Sequence, residues 1–296
     1  MRRQREKRAS PRSGGRAVTR AEIAARLRAA GIEEHAEEAM RLFCRFSGKS
    51  RAYALAEPAA DCTEPALLAA LARREAREPL AYVLGEAAFF EECYRVSPDC
   101  LIPRPESELL VELACRLLPK GGRMADLCTG SGCLAISTLR HRPDCVADAY
   151  DISRGALALA RENAERNGVS ARLSFFECDL LAPHGWGDTP LAEARQYDLI
   201  LSNPPYVTTA EMAELSPEVR REPSLALHGG EDGLVFYRAF LAAFPRALKT
   251  GGAFLFEIGA DEGDALRALG RTAGFSVRIL PDLAGRDRMA LLTAAD

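Results

Sequence analysis

The chain has 296 residues, of which 48% are hydrophobic and 27% charged, and its formal net charge is −3 at pH 7. These values are ordinary for a globular protein, and the small net charge argues against a basic surface that would hold nucleic acid. We therefore expect no stable nucleic-acid partner. No apolar run approaches the roughly 18 residues of a spanning helix, so we also expect no membrane partner.

The first residues differ in character from the rest of the chain. The stretch "MRRQREKRASPRSGGR" is rich in arginine, nearly free of acids and poor in apolar residues. This composition predicts a disordered basic tail over residues 1–17. A transit peptide and a weak contact with RNA or a ribosome are alternative interpretations of the same stretch.

The nine cysteines give no sign of a metal site or of disulfides. None forms a C-x-x-C pair, and no histidine lies at metal-ligand spacing from them. In the absence of a secretory signal, scattered cysteines are typical of reduced thiols in a cytosolic protein. We therefore expect a cytoplasmic monomer with neither a metal nor a disulfide.

Residues 18–85 are predicted to form a small helical domain. The stretch "TRAEIAARLRAAGI" begins with Thr19 as a helix N-cap and has Glu22 three residues later, as in a capping box. Gly31 is a natural stop for that helix. The stretches "EEHAEEAMRLFCRFSG" and "TEPALLAALARREARE" predict two further helices, with acids early and arginines late. This domain holds no catalytic constellation, so its predicted role is to present a recognition surface.

The remaining residues predict a connector followed by a doubly wound α/β domain. Residues 86–104 gather aromatic and branched side chains and are expected to form a hairpin or linker. Over residues 105–296, short apolar runs alternate with helical stretches, and "GLVFYRAFLAAFPRALKTGG" is expected to form one of those helices. Such alternation predicts a seven-stranded, Rossmann-like parallel sheet that binds ligands at the carboxyl ends of its strands.

Acidic residues at three predicted strand ends indicate a cofactor site. Asp126 precedes a loop of small residues in which Gly130 and Gly132 allow close approach of a ligand to the backbone. Asp151 ends the next strand, about 20 residues further on, where a carboxylate can accept both hydroxyls of a ribose. Asp179 ends the third strand, either near an adenine or as an N-cap. The loop has neither the G-x-G-x-x-G pattern of dinucleotide sites nor the lysine of a phosphate-binding P-loop. A ligand with a ribose but no phosphate therefore fits better, and S-adenosylmethionine is such a ligand.

The segment "SNPPYV" follows a fourth predicted strand and indicates the reacting end of the site. The Asn203 carbonyl can accept an N–H from a target NH2 group, and the carbonyl of Pro204 can accept the second. Pro204 and Pro205 hold the local backbone without adding a competing donor, and Tyr206 offers a ring for stacking. Two acceptors orient a poorly nucleophilic nitrogen towards a methyl sulfonium, so positioning and electrostatics carry the reaction. Adenine amines and glutamine side-chain amides are both compatible substrates.

The motifs of the chain together resemble those of one family. The stretches "REPLAYVLGEAAFF", "VSPDCLIPRPESELLVE", "DLCTGSG", "SNPPYV", "EPSLALHGGEDGL" and "DLAGRDRM" are similar, in the same order, to motifs of the release-factor glutamine N5-methyltransferases, the PrmC (HemK) family. The resemblance runs from about residue 20 to the end. It implies methyl transfer from S-adenosylmethionine, with S-adenosylhomocysteine as product, to the glutamine of the Gly-Gly-Gln loop in bacterial peptide chain release factors.

The resemblance also assigns residues. It implies that the helical domain grips the release factor and that residues 203–206 hold the glutamine amide. With the strand-end acids, the expected cofactor-binding residues are Asp126, Cys128, Thr129, Gly130, Ser131, Gly132, Asp151, Asp179, Leu180 and Asn203. The expected walls of the pocket that admits the peptide loop are Phe89, Phe90, Arg104, Pro105 and Glu106.

The chain departs from the family pattern at several positions. Cys128 stands where the family usually has glycine, and it would strain the loop and weaken cofactor binding if that position needs φ > 0. Glu91 and Glu92 replace the usual glycine-containing turn, Ser107 replaces a common threonine, and Leu180 occupies a site that is often aromatic.

Three other functions remain open from the residues alone. The chain could be an adenine-N6 methyltransferase of DNA or RNA, although no basic groove or target-recognition region is evident outside the tail. It could methylate a glutamine of a ribosomal protein. It could also be a binding protein that has lost catalysis, for which Cys128 is the one hint.

Overall fold

The structure, a computed structural model, describes residues 17–182 and 185–295. The chain divides into two units between Leu84 and Gly85. Residues 1–16 of the predicted basic tail lie outside the described residues.

The first unit is helical apart from one very short strand pair. Its elements over residues 17–84 are strand β1 (Val18–Thr19), helices α1 (Arg20–Ala29), α2 (His35–Ser47) and α3 (Arg51–Ala56), strand β2 (Asp61–Cys62), and helices α4 (Pro65–Glu75) and α5 (Leu80–Leu84). β1 and β2 pair antiparallel. The three helices predicted from sequence correspond to α1, α2 and α4. The other elements are too short, at two to six residues, to show a periodicity.

Local sequence explains where α1 begins and what it packs against. The predicted capping box is present, because Thr19 Oγ1 accepts from the Glu22 N–H and Glu22 Oε2 accepts from the Thr19 N–H. Ile23 and Leu27, four positions apart, are fully buried in a core shared with Phe43 of α2. Amphipathic packing of this kind stabilises helices that would be marginal alone.

The second unit begins with a hairpin and continues as alternating strands and helices. From Gly85 to Ala295, its described elements are strands β3 (Glu86–Phe89) and β4 (Glu92–Arg95), helix α6 (Glu108–Leu117), strand β5 (Arg123–Leu127), helix α7 (Cys133–His141), strand β6 (Val146–Asp151), helix α8 (Arg154–Arg166), strands β7 (Leu173–Glu177) and β8 (Tyr197–Ser202), helices α9 (Thr209–Met212) and α10 (Val235–Ala243), strand β9 (Leu248–Glu257), helix α11 (Gly263–Thr272), and strands β10 (Phe275–Pro281) and β11 (Asp287–Ala294).

Seven strands of this unit form the central sheet, in the order β10-β11-β9-β8-β5-β6-β7. β9, β8, β5, β6 and β7 run parallel, and β11 lies antiparallel between β9 and β10. The predicted seven-stranded, Rossmann-like sheet is confirmed. The winding of the chain reverses between β5 and β8, so the carboxyl ends of these strands form the topological switch point at which such sheets bind ligands.

Helices cover both faces of the sheet. Side chains of α6 and α7, such as Leu110 and Ile136, pack into the core on one face. On the other face, α10 and α11 contribute Tyr237, Phe240 and Leu266 to an aromatic-rich core. Both faces of the parallel strands are thereby removed from water, which explains their nearly continuous apolar sequence.

One expectation about the second unit was wrong in detail. The helix predicted from "GLVFYRAFLAAFPRALKTGG" ends at Ala243, and β9 already begins at Leu248. Pro245 accounts for the early end, because proline lacks the N–H that would continue the helix. Helices α9 and α11 were not predicted at all.

Candidate active site

A cavity of about 310 Å³ opens at the carboxyl ends of the parallel strands. Its walls come from the segments at residues 98–107, 128–134, 151–156, 178–181, 203–205 and 223–226, together with Phe236. Four of these segments directly follow β5, β6, β7 and β8. The site therefore lies where the doubly wound topology predicts it.

The loop after β5 is held in an unusual backbone conformation. Cys128, Gly130 and Gly132 have φ angles of 59°, 55° and 80°. Glycine suits Gly132 because of its φ, and a Cβ atom there would also lie 2.9 Å from Ile136 Cδ1, which would have to move. Cys128 has no such freedom, and its left-handed conformation costs roughly 1–2 kcal/mol. The position of Cys128 therefore has the positive φ under which a residue other than glycine was expected to strain the loop.

Asp126 lies beneath this loop and does not line the cavity. It is fully buried at the end of β5, where its Oδ2 accepts from Thr129 Oγ1 at 2.7 Å and from the Ala135 N–H at 3.2 Å. Burial raises the pKa of this carboxyl to about 7. We therefore interpret Asp126 as a support for the loop. Of the other predicted loop residues, Cys128 to Ser131 line the cavity and Gly132 does not.

Asp151 and Asp179 both line the cavity, and both are tied to the backbone. Asp151 accepts from the Gly130 N–H at 2.8 Å and from the Ser153 N–H at 2.9 Å, while burial raises its pKa. Asp179 Oδ1 accepts from the Leu181 and Ala182 N–H groups, which is the hydrogen-bonding pattern of the N-cap considered as the alternative, although the segment that follows is a bend and not a helix. A carboxylate has about four lone-pair sites, so each can still accept hydrogen bonds from a ligand. Leu180 also lines the cavity.

Asn203 directly follows β8 and lines the same cavity together with Pro205. Pro204 and Tyr206 do not line it. Both prolines are buried. Tyr206 is partly buried, and its hydroxyl lies 3.4 Å from Glu257 Oε1, where desolvation raises its pKa.

The segment after Tyr206 packs tightly against residues 227–233. The Val207 N–H donates to the Leu227 carbonyl, and the Gly229 N–H donates to the Val207 carbonyl, both at 2.8 Å. A Cβ atom on Gly229 would lie 2.7 Å from both the Pro205 oxygen and the Tyr206 Cα. The glycines of "LHGGEDG" therefore allow a close backbone approach that supports residues 203–206.

The predicted peptide-pocket walls are only partly at the cavity. Arg104 lines it and pairs with Glu222, which is almost fully buried and also accepts from the Ile102 N–H at 3.0 Å. Pro105 and Glu106 form a short 3-10 turn and do not line the cavity. Glu222 was not predicted as a site residue.

The paired aromatics lie in the hairpin instead. Phe89 is buried against Tyr94, with ring centroids 6.0 Å apart. Phe90 has a φ of 57°, contacts the His141 ring edge-on at 4.8 Å, and donates its N–H to Glu108 Oε1 at 2.8 Å. Neither aromatic lines the cavity. Phe89 is the last residue of β3, and Phe90 lies in the turn between β3 and β4.

Sequence reasoning missed two groups of residues at the site. Ser107 and Glu257 are buried behind Asn203, and Glu257 ends β9 as Asp151 ends β6. An acid at a strand end was therefore an available signal. Cys100, Cys133 and Cys178 also line the cavity, beside Cys128, and desolvation raises the pKa of each of these thiols.

No group of three or more potential metal ligands occurs within residues 17–182 and 185–295. In the same part of the chain, no helix is long and apolar enough to cross a membrane.

Comparisons with known proteins agree with this architecture. Residues 19–85 match the family model of the PrmC N-terminal domain, and residues 105–230 match that of the methyltransferase small domain. The chain is 44% identical to the release factor glutamine methyltransferase of Cereibacter sphaeroides over 89% of its own length and 93% of that protein. It is 38% identical to the one from Moorella thermoacetica, over 91% and 95% of the two chains.

A methyltransferase from Pyrococcus furiosus shares the fold of the second unit. Its TM-score is 0.51 at 20% identity, covering 68% of this chain and 87% of that one. The structural match shows the fold, and the matches to relatives over nearly the full length of the chain show the family. This chain belongs to the release factor glutamine methyltransferase family.

Proposed function

We propose that this protein transfers a methyl group from S-adenosylmethionine to the side-chain amide nitrogen (N5) of the glutamine in the Gly-Gly-Gln loop of bacterial peptide chain release factors. Family membership supports the reaction. The observation that carries the proposal is that Asn203 lines the same cavity as the loop after β5 and Asp151. Asn203, the proposed acceptor for the substrate amide, and Asp151, the proposed acceptor for the ribose, thus line one cavity.

The residues around the cavity fit S-adenosylmethionine. The cavity volume of about 310 Å³ falls at the lower end of the range for small-molecule sites. Asp151 would accept from the ribose hydroxyls, residues 129–131 would pass beneath the ligand, and Leu180 would contact the adenine. The bound cofactor supplies an electrophilic methyl group on a sulfonium.

The protein's own contribution is to orient the glutamine amide. Asn203 Oδ1 is the proposed acceptor of one N–H, and the carbonyl of Pro204, which does not line the cavity but directly follows Asn203, is the proposed second acceptor. Both contacts strengthen as positive charge develops on the nitrogen, so they stabilise the transition state more than the ground state. The nitrogen would gain the methyl as the bond from that methyl to sulfur breaks, S-adenosylhomocysteine would leave with the electron pair of that bond, and the nitrogen would release one proton to solvent. The two buried prolines keep the acceptors in place.

The proposal extends to partner and location. The helical first unit, which matches the PrmC N-terminal domain, is proposed to bind the release factor. Release factors act at ribosomes, so the enzyme is proposed to work in the cytoplasm, as a monomer. Nine free cysteines are in keeping with a reducing compartment.

Partition of a labelled methyl group between two substrates tests the reaction class. The purified protein is incubated with labelled S-adenosylmethionine, unmodified release factor and duplex DNA together. We expect label on the release factor alone. Label on DNA adenine would contradict the proposal and favour an adenine methyltransferase, and cofactor binding without any transfer would favour a binding protein.

A further inference from the structure

Behind Asn203, two buried side chains continue a line of hydrogen bonds into the protein. Asn203 Nδ2 donates to Ser107 Oγ at 3.1 Å, and Ser107 Oγ donates to Glu257 Oε2 at 2.5 Å. Ser107 is 3% exposed and Glu257 is 2% exposed. Asn203 directly follows β8, Ser107 lies in the turn before α6, and Glu257 ends β9. A network this buried is rigid when all of its members are satisfied.

The chemistry of these groups gives the network one direction. An ionised carboxylate is only an acceptor, so the single hydroxyl proton of Ser107 is committed to Glu257. Ser107 Oγ can then only accept from Asn203, which requires Nδ2, and not Oδ1, to face it. A flipped amide would set Oδ1 against an oxygen with no proton to give. Asn203 Oδ1 accepts no hydrogen bond from the residues that the structure describes.

We propose that Glu257, acting through Ser107, is a positioning residue that fixes the Asn203 amide with its oxygen available to the substrate nitrogen. The inference rests on the proposed function for the identity of that substrate. An asparagine amide without a fixed partner can present either its oxygen or its NH2, and an NH2 group repels the N–H of the target. While Glu257 is ionised, the network removes this unproductive orientation before the substrate arrives.

The same carboxylate reaches the other end of residues 203–206. Tyr206 Oη lies 3.4 Å from Glu257 Oε1, so the two carboxylate oxygens face Ser107 and Tyr206 separately. β9 pairs in parallel with β8, with Ser202 beside Phe256, which brings Glu257 next to Asn203. One buried acid thereby supports both the amide acceptor and the ring of the segment.

Protonation of Glu257 would reverse the direction of the network. A protonated carboxyl can donate to Ser107, which can then donate to Asn203 Oδ1 and favour the unproductive orientation. Burial raises the pKa of Glu257 to about 7, so activity should fall as pH falls through this value. The titratable, charged and hydroxyl groups that face Glu257 are Glu106 and Ser107 before α6, Tyr206 after β8, Arg288 of β11, and Tyr237 of α10, whose hydroxyl donates to the Glu257 carbonyl.

Kinetics of matched variants test the role of the network. We expect Glu257→Gln and Ser107→Ala to lower kcat roughly 10- to 100-fold while the dissociation constant of S-adenosylmethionine changes less than about twofold. Ser107→Thr keeps the hydroxyl and should retain most of kcat. Glu257→Gln should also abolish the fall in rate near pH 7. Glu262→Gln, a similar change at another largely buried acid, is the control for general destabilisation.

The outcomes that would overturn the inference are distinct. An unchanged kcat in Ser107→Ala would overturn it, as would an equal loss in Ser107→Thr. So would an equal loss in Glu262→Gln, because the effect would then follow from loss of a buried acid in general.

A second measurement does not need the substrate. In 15N-labelled protein, the Asn203 side-chain NH2 should give one hydrogen-bonded, slowly exchanging proton that is lost in Ser107→Ala and Glu257→Gln. An Asn203 signal that is insensitive to both changes would overturn the inference even if the release factor is methylated. An intact signal without methylation of the release factor would instead contradict the proposed function.

Discussion

Cys128 carries the most evident conflict between residue type and backbone at the site. With a φ of 59°, it occupies a region that L-residues other than asparagine and aspartate seldom adopt. The adjacent Thr129 N–H donates to the Tyr150 carbonyl at 3.0 Å, and Gly130 donates to Asp151, so surrounding contacts hold the loop in place. The strain is therefore stored in the native loop beside the proposed cofactor.

Replacement of Cys128 by glycine should relieve this strain. We expect Cys128→Gly to raise the free energy of unfolding by about 1 kcal/mol and to leave cofactor binding equal or tighter, because glycine adopts φ > 0 without cost. Urea unfolding and a cofactor titration measure the two effects. Cys133→Gly, at the start of α7, is the matched control and should destabilise by about 1 kcal/mol. A loss of stability in Cys128→Gly would show that the loop is not strained at this position.

At the level of elements, the loop between α9 and α10 acts as a support for residues 203–206. Its backbone hydrogen bonds to Val207 and the close approach of Gly229 to Pro205 set the position of that segment from below. Gly233, with a φ of 76°, makes a similar approach, since a Cβ there would lie 2.5 Å from the Tyr206 oxygen. These contacts explain why the motif "LHGGEDG" accompanies "SNPPYV" in one site.

A single methyl group at Gly229 should therefore disturb catalysis. We expect Gly229→Ala to displace the Pro205–Tyr206 backbone by a few tenths of an ångström and lower kcat roughly 10- to 100-fold. Gly168→Ala serves as a control, because its φ of 69° makes the change strained while a Cβ there meets nothing within 4 Å. That variant should lose about 1 kcal/mol of stability and keep its kcat. Full activity in Gly229→Ala would contradict the supporting role of the loop.

At the scale of the whole molecule, several buried acids link stability to pH. Burial raises the pKa of Asp126, Glu257 and Glu262 to about 7 in each case. An acid whose folded pKa is raised binds more protons in the native state than in the unfolded state between its two pKa values. Its contribution to stability is present below the unfolded pKa and is lost as pH rises through the folded pKa. The site thus gains its ionised Glu257 in the pH range where the fold becomes less stable.

We expect the free energy of unfolding to decrease between about pH 4.5 and pH 7, by up to about 1.4 kcal/mol per pH unit for each such proton. Glu262→Gln removes one titrating group and should make this dependence less steep. Urea unfolding of both proteins at several pH values provides the comparison. A free energy that rises with pH across the same range would mean that these acids are ionised in the native protein well below pH 7.

The fold was largely predictable from sequence, and the site only in part. Alternating apolar runs determine the strands, and the strand ends locate Asp151, Asp179 and Asn203 at one cavity because parallel strands share a carboxyl edge. The Ser107–Asn203 bond joins residues 96 apart in sequence, and no local pattern indicates it. The family resemblance implied Phe89 as a pocket wall, and its ring lies in the core, a side-chain direction that the sequence alone does not indicate.

Site mapping on the methylated release factor tests directly whether the protein methylates the glutamine amide and whether Asn203 orients it. The Gly-Gly-Gln peptide is isolated after reaction with the wild-type protein and with Asn203→Ala, and is fragmented in a mass spectrometer. We expect one added methyl on the glutamine side-chain nitrogen with the wild-type protein and none with Asn203→Ala. Methylation at another residue, or an undiminished yield with Asn203→Ala, would contradict this expectation.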